Sequence, residues 1–316
     1  MPEPLLRVNE LRKDFIVGPM FKRKTVQAIR GVSFVLNKGE TLGLVGESGC
    51  GKSTTGRAAI RLIEPSSGSI EYDGVDLATV GPHDMRRMRQ DLQIIFQDPY
   101  ASLNPRITIE QTLTEPLAIQ KIGTPAERRE RVMAIIAEVG LQAAHAARYP
   151  HEFSGGQRQR IGIARSLILN PKLIVADEPV SALDVSVQAQ IINLMQDVKA
   201  KHGMSYIFIS HDLSVVKHIC DRVAVMYLGE IVEMATRDAL YDEPLHPYTK
   251  ALMSAIPGQR GTQKRITLKG DIPSPTSPPA GCAFHTRCPS AMAICKTTTP
   301  LAIETDGRKV ACHLYN

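Results

Sequence analysis

No apolar run in this 316-residue chain approaches the ~20 residues that a membrane-spanning helix requires. Met1 to Glu10 also lacks the pattern of a secretory signal. These absences lead us to expect a protein of the cytoplasm that meets a membrane only peripherally or through partners. No internal repeat is visible, which sets solenoids and propellers aside. The charge is not strongly one-sided either. The net value of +6 is scattered over stretches such as Arg86-Arg87-Met88-Arg89, as expected of solvated helix faces, and no nucleic acid partner is expected. Among the six cysteines there is no tight C-x2-4-C pair of the kind common in zinc sites. What remains, at 43% hydrophobic residues, is enough for one large α/β domain with a smaller appendage.

The strongest positive signal is Gly46-Glu47-Ser48-Gly49-Cys50-Gly51-Lys52-Ser53-Thr54, which contains G-x-x-x-x-G-K-[ST]. Glycines let the backbone close around a polyanion, its N–H groups bind phosphate oxygens, and the following helix adds positive potential. Lys52 suits the β- and γ-phosphates, and the Ser53 hydroxyl suits a Mg²⁺ shell. The context agrees: Thr41-Leu42-Gly43-Leu44-Val45 reads as a buried strand, and a helix is expected from about Lys52 to Ile63. The loop reads as a nucleoside triphosphate site.

Upstream, residues 5–45 alternate apolar and polar segments, as in an antiparallel β layer. Phe15 lies in it, either as plain core or as an aromatic plate for a purine. Asp91 to Gln97 reads as a strand ending in a polar side chain, after which the periodicity becomes helical to about Leu169. One amphipathic helix is expected over Arg131 to Val139, with Gly140 as its cap. Phe153-Ser154-Gly155-Gly156-Gln157 opens another helix. Ser154 is its N-cap, and two glycines with an arginine-rich first turn point to a second phosphate-binding end.

Leu173-Ile174-Val175-Ala176 is a buried parallel strand ending in Asp177-Glu178. There Asp177 suits Mg²⁺ and Glu178 suits a water-activating base. A helix ending at Gly203 leads to the strand Tyr206 to Ile209, which places His211 on the same sheet edge as Glu178. A proline- and serine-rich stretch over about 271–281 then precedes Cys282, Cys288, Cys295 and Cys312. For these thiols three readings stand: free core thiols, a zinc site, or a [4Fe–4S] cluster, the wider spacing suiting the last.

Taken together, these motifs resemble those of the nucleotide-binding subunit of an ATP-binding cassette (ABC) transporter. The resemblance implies a P-loop NTPase core carrying an antiparallel β subdomain and a helical subdomain (about 98–170). It divides the chain into 1–235 and a C-terminal domain, 236–316. It makes Gly46 to Ser53 the Walker A motif, Gln97 the Q-loop, and Ser154, Gly155, Gly156 and Gln157 the signature. Asp177 closes Walker B, Glu178 is the catalytic glutamate, Asp184 lies in the D-loop, and His211 is the switch histidine. Phe15 matches the aromatic A-loop position, with Phe21 a rival; Phe153 stands where leucine is commoner. The segments Phe96 to Arg106, Leu245 to Leu252 and Gly281 to Leu314 are similar to the oligopeptide/dipeptide importer branch, and to its second, F-type, ATPase.

That resemblance implies ATP and Mg²⁺ as ligands, the latter at Ser53, Gln97 and Asp177. Tails of this kind also favour the iron–sulfur reading of the cysteines. Expected partners are a second homologous ATPase in a heterodimer, two membrane permeases and an extracytoplasmic solute-binding protein. The place of work is the cytoplasmic face of the inner membrane, and the cargo a peptide, nickel or another small solute. A soluble ABC ATPase of repair or translation would need a coiled-coil insertion or a second cassette, which the sequence lacks. A non-hydrolysing regulatory subunit would want a degenerate Glu178 or His211, and both are intact.

Overall fold

The computed structural model describes residues 3–19, 21, 23–256, 266–305 and 307–315. Its contacts divide the chain into two compact units. Unit 1 holds Met1–Asn37, Thr41–Ala78 and Phe208–Asn316; unit 2 holds Lys38–Glu40 and Thr79–Ile207.

Unit 1 begins with β1 (Pro4–Val17), β2 (Lys24–Asn37), β3 (Thr41–Val45), α1 (Lys52–Ala59), β4 (Ser67–Tyr72) and β5 (Val75–Asp76). Unit 2 carries α2 (Pro82–Met88), β6 (Leu92–Ile95), α3 (Pro99–Ser102), α4 (Ile109–Ile119), α5 (Pro125–Glu138), α6 (Gly155–Leu167), β7 (Leu173–Asp177) and α7 (Val185–His202). The strand β8 (Ser205–Ile209) runs through the sequence boundary, after which unit 1 resumes with α8 (Leu213–Ile219), β9 (Arg222–Tyr227) and β10 (Glu230–Thr236). It ends with α9 (Arg237–Asp242), α10 (Pro247–Ser254), β11 (Ala302–Thr305) and β12 (Arg308–Ala311).

The expected β layer forms in unit 1 as an antiparallel sheet in the order β2-β1-β4-β5. Along β2 the residues Val32, Phe34 and Leu36 are buried at every second position, as the two-residue period of a half-buried strand requires. By contrast β3 is buried at all five positions and pairs parallel with β9. A strand covered on both faces gains from an unbroken apolar run.

In the tail β12 pairs antiparallel with β10, and the local order is β11-β12-β10-β9-β3. The proline-rich stretch has neither helix nor strand, but the Gln27 N–H donates to the Pro275 carbonyl at 3.3 Å.

In unit 2, β6 and β7 run parallel, and the helices pack around the buried face of α6 that holds Ile161, Ala164 and Leu167. Two helix boundaries differ from expectation. α1 stops at Ala59 rather than near Ile63, because Arg61 takes a left-handed φ of 53° and bonds Glu64 and the Leu77 carbonyl. α5 starts at Pro125, ahead of Arg131, because Thr124 and Glu127 form a reciprocal capping box over turns too polar to show an apolar stripe. Among the described residues, no helix is long and apolar enough to cross a membrane.

Candidate functional site

The marked residues fall into one group in each unit. In unit 1 the phosphate loop joins β3 to α1, and two of its glycines are dictated by close backbone approach. Gly46 has φ 150°, and a Cβ there would lie 2.2 Å from the Met226 carbonyl oxygen. Gly51, at φ 102°, would press a Cβ to 2.3 Å from the Ala28 carbonyl oxygen.

As N-cap of α1, Gly51 offers no side-chain acceptor, and the first turn holds no acid. Gly51 itself therefore caps none of the backbone donors at that end, and no acid of the first turn opposes the helix field. Lys52 is 4% exposed, and its ammonium donates to the Gly46 and Glu47 carbonyls at 2.8 and 3.0 Å. Cys50 is buried in the same loop; burial pushes its thiol up, against the pull of Lys52. A cradle with no room for a Cβ, a lysine folded into it and a helix start without acid fit a polyphosphate with its Mg²⁺.

Glu47 is tied down at three points. Its carboxylate receives Arg287 at 2.6 and 3.0 Å, its N–H donates to the Tyr248 hydroxyl at 2.9 Å, and its carbonyl receives Lys52. Neither Arg287 nor Tyr248 was marked by the sequence, because each lies more than 200 positions from the loop it holds.

His211 is exposed in the turn after β8. The Ser210 N–H donates to the Leu44 carbonyl on one side of it, and on the other Asp212 caps α8 through Ser214 and Val215. Phe15 is half-buried on β1 opposite Val26, with the Lys13 ammonium 5.1 Å from its ring centre. Phe21 is 96% exposed.

In unit 2 the Gln97 amide donates to a Glu178 carboxylate oxygen at 3.0 Å, so two residues far apart in sequence meet at the ends of β6 and β7. Asp177 is fully buried. Glu178 adopts a left-handed φ of 48°, and its carbonyl receives the Ser181 N–H and hydroxyl. A non-glycine residue held there costs energy, which the surrounding hydrogen bonds must offset. Gln188, unmarked by the sequence, donates to the Val180 and Leu183 carbonyls at 3.0 Å each and so holds the turn that leads to Asp184. Asp184 itself is exposed at the start of α7.

Ser154 caps α6 in a reciprocal box with Gln157, at 3.4 and 3.0 Å. A Cβ on Gly156 would lie 2.5 Å from Val187 Cγ1, so the second glycine is fixed by packing on α7. Phe153 is 3% exposed, edge-on to His145 and beneath Arg148. The arginines that suggested a phosphate-binding turn have structural work. Arg158 donates to the Pro150 carbonyl at 2.9 Å, and Arg160 to the Val139 carbonyl at 2.7 Å. This end of α6 thus presents the exposed Ser154 and Gly155 rather than an arginine cluster.

The four tail cysteines lie near one another in unit 1. Burial pushes the Cys282 thiol up to about 11, and Cys295, Cys312 and Cys288 add to the shift. They are of the right donor type for iron–sulfur or zinc. Among the described residues, however, no group of three or more His, Cys, Asp or Glu side chains is arranged to hold a metal ion. The cluster expected from the spacing is thus not supported by the side-chain arrangement, though the donor set does not conflict with it.

Residues 29–181 match the family model "ABC transporter", and residues 232–295 match "Oligopeptide/dipeptide transporter, C-terminal region". The oligopeptide transport ATP-binding protein AppF of Bacillus subtilis is 54% identical over 323 aligned residues, covering 99% of this chain and 98% of its own. The dimeric ATP-binding cassette MJ0796, solved in a post-hydrolysis state with ADP and Pi, superposes with a TM-score of 0.66 at 26% identity. That match covers 73% of this chain and 98% of MJ0796. CbiO1 of Clostridium perfringens, part of the ABC transporter complex CbiONQ, gives the same TM-score and identity over 76% of this chain and 92% of its own. The chain belongs to the ATP-binding subunits of the ABC transporters, in the branch that carries the oligopeptide/dipeptide transporter C-terminal region.

Proposed function

We infer that this chain hydrolyses ATP to power import of di- or oligopeptides, working at the cytoplasmic face of the bacterial inner membrane. The observation that carries the reading is the union, in one chain, of an ABC cassette with the oligopeptide/dipeptide C-terminal region. In this reading Lys52 exchanges its carbonyl partners for the β- and γ-phosphates. Gly46, Ser48, Gly49, Cys50, Gly51 and Thr54 complete the loop. Ser53, Gln97 and Asp177 are assigned to Mg²⁺, which when bound offsets phosphate charge. Phe15 lies under adenine.

Glu178 takes the proton of the attacking water, oriented by the Gln97 amide it already accepts, and His211 reports on the γ-phosphate. Ser154, Gly155, Gly156, Gln157 and Asp184 act on the nucleotide of a second, homologous ATPase. The segment 98–170 grips two permeases supplied by an extracytoplasmic solute-binding protein. Domains 1–235 and 236–316 divide this labour, the first holding every motif.

For the cysteines the assignment is a [4Fe–4S] cluster, supported by donor type and proximity, and no step of ATP chemistry runs through it. Anaerobic purification with iron, sulfide and zinc analysis tests it: metal-free, folded, active protein removes the assignment, and zinc without iron reassigns the site.

The transport reading is tested by reconstitution with the cognate permeases, partner ATPase and binding protein. ATP-dependent uptake of a labelled peptide is expected, and it should vanish with Lys52→Ala. Uptake of nickel but no peptide would move the cargo to another class.

A further inference from the structure

Glu47 presents a problem that the phosphate loop must solve. A carboxylate in a loop built to receive a triphosphate repels the ligand, and it can also fold over the loop's N–H groups as an internal anion. The structure shows where that carboxylate goes. Arg287, whose side chain is 7% exposed, receives it in a two-pronged ion pair at 2.6 and 3.0 Å. Such a fork fixes orientation as well as charge.

The arginine is itself held from the tail. Its guanidinium lies 6.0 Å from the centre of Tyr227, which packs edge-on to Tyr248 and Phe284 at 4.8 and 5.2 Å. Phe284 and Tyr248 are 1% and 0% exposed. Tyr248 in turn accepts the Glu47 N–H, while the Glu47 carbonyl receives Lys52. The tail, α10 and β9 thus converge on one residue of the loop, and through it on the lysine.

We propose that Arg287 and Tyr248 are positioning residues of the ATP site, which draw the Glu47 carboxylate away from the phosphates and fix the loop that carries Lys52. This rests on the reading of the loop as an ATP site.

The test is binding of a fluorescent ATP analogue to the full chain, with KM and kcat measured in the assembled transporter. Arg287→Ala should weaken binding roughly tenfold, the scale of one lost charged hydrogen-bond pair. It should raise KM by the same factor, with kcat at saturating ATP within about twofold, since no reacting atom is touched. Arg287→Lys should recover part of the loss.

The decisive variant is the double substitution Arg287→Ala with Glu47→Gln. It removes the stranded charge and should bind ATP more tightly than Arg287→Ala alone. A merely structural arginine predicts no such recovery. If Arg287→Ala does not fold, Arg287→Gln and Tyr248→Phe carry the same test, each with a severalfold rise in KM expected.

Binding within twofold of wild type in the arginine variants, or a double variant that binds no more tightly than the single, overturns the proposal. Lys52→Ala separates the two failures. If it still binds the analogue normally, the ATP-site reading falls with the inference; if it loses binding while Arg287→Ala does not, the inference falls alone.

Discussion

Glu178 shows how much a single side chain is made to carry. Its backbone sits at φ 48° and its carboxylate accepts the Gln97 amide. Glu178→Gln keeps the length, the backbone and an acceptor for Gln97, but removes the proposed base. Turnover in the assembled transporter should fall by about 10²-fold or more, while ATP binding stays within about twofold. Steady-state ATPase and a binding isotherm decide it, and near-normal turnover would take Glu178 out of the catalytic step.

His246 carries a different consequence, in stability. Its Nδ1 accepts the Tyr248 N–H at the start of α10, so the ring must be neutral, and burial, with Lys250 adding, pushes it down to about 3. A folded value below the unfolded one means that the unfolded chain binds the extra proton. The stability is therefore full above about pH 6.5 and is lost as pH falls toward 3, by about 2 kcal/mol between pH 6.5 and 5. Glu233, whose carboxylate accepts the His246 N–H, is pushed up by burial and acts in the opposite sense. The comparison of wild type with His246→Asn isolates the histidine: urea melts across this range should show a flatter acid limb in the variant. Equal slopes would count against the buried neutral ring.

At the scale of elements, the sequence was most informative where periodicity and end signals agreed. The buried run of β7, the Ser154 cap of α6 and the Gly203 stop of α7 all lie where their patterns place them. It was least informative where pairing is remote. β12 is four residues long and meets β10 at Glu233↔Val310 and Met234↔Lys309, a register that no local pattern announces. The arginines of α6 have roles that no local pattern announces either: Arg158 and Arg160 bond the Pro150 and Val139 carbonyls. For the site itself, each glycine, carboxylate and capping serine was legible from short motifs. Arg287, Tyr248 and Gln188 were not, because their partners are set by tertiary packing.

For the same end of α6, Ser154→Trp should cut ATPase in the assembled transporter by roughly tenfold or more, since a bulky cap blocks approach to the partner's γ-phosphate. ATP binding to the isolated chain should remain within about twofold if, as proposed, Ser154 serves another chain's nucleotide. Loss of binding in the isolated chain would overturn that assignment.

On the scale of the whole molecule, unit 2 is almost entirely one uninterrupted stretch, Thr79–Ile207, whereas unit 1 is assembled from pieces on either side of it. This order has a consequence for the birth of the protein on the ribosome. Unit 2 can close as soon as it emerges, but β3 must wait for β9, its partner across Leu42↔Arg222, and Glu47 must wait for Arg287. At about 5–20 residues per second, the loop spends roughly ten seconds or more exposed before its last support arrives. A nascent chain cut short before residue 287 has no Arg287 to hold Glu47, so stalled products would differ from finished protein in nucleotide occupancy. A loop made in the first fifth of the chain thus gains its full hold on ATP only when Arg287, about nine-tenths of the way along the message, has been added.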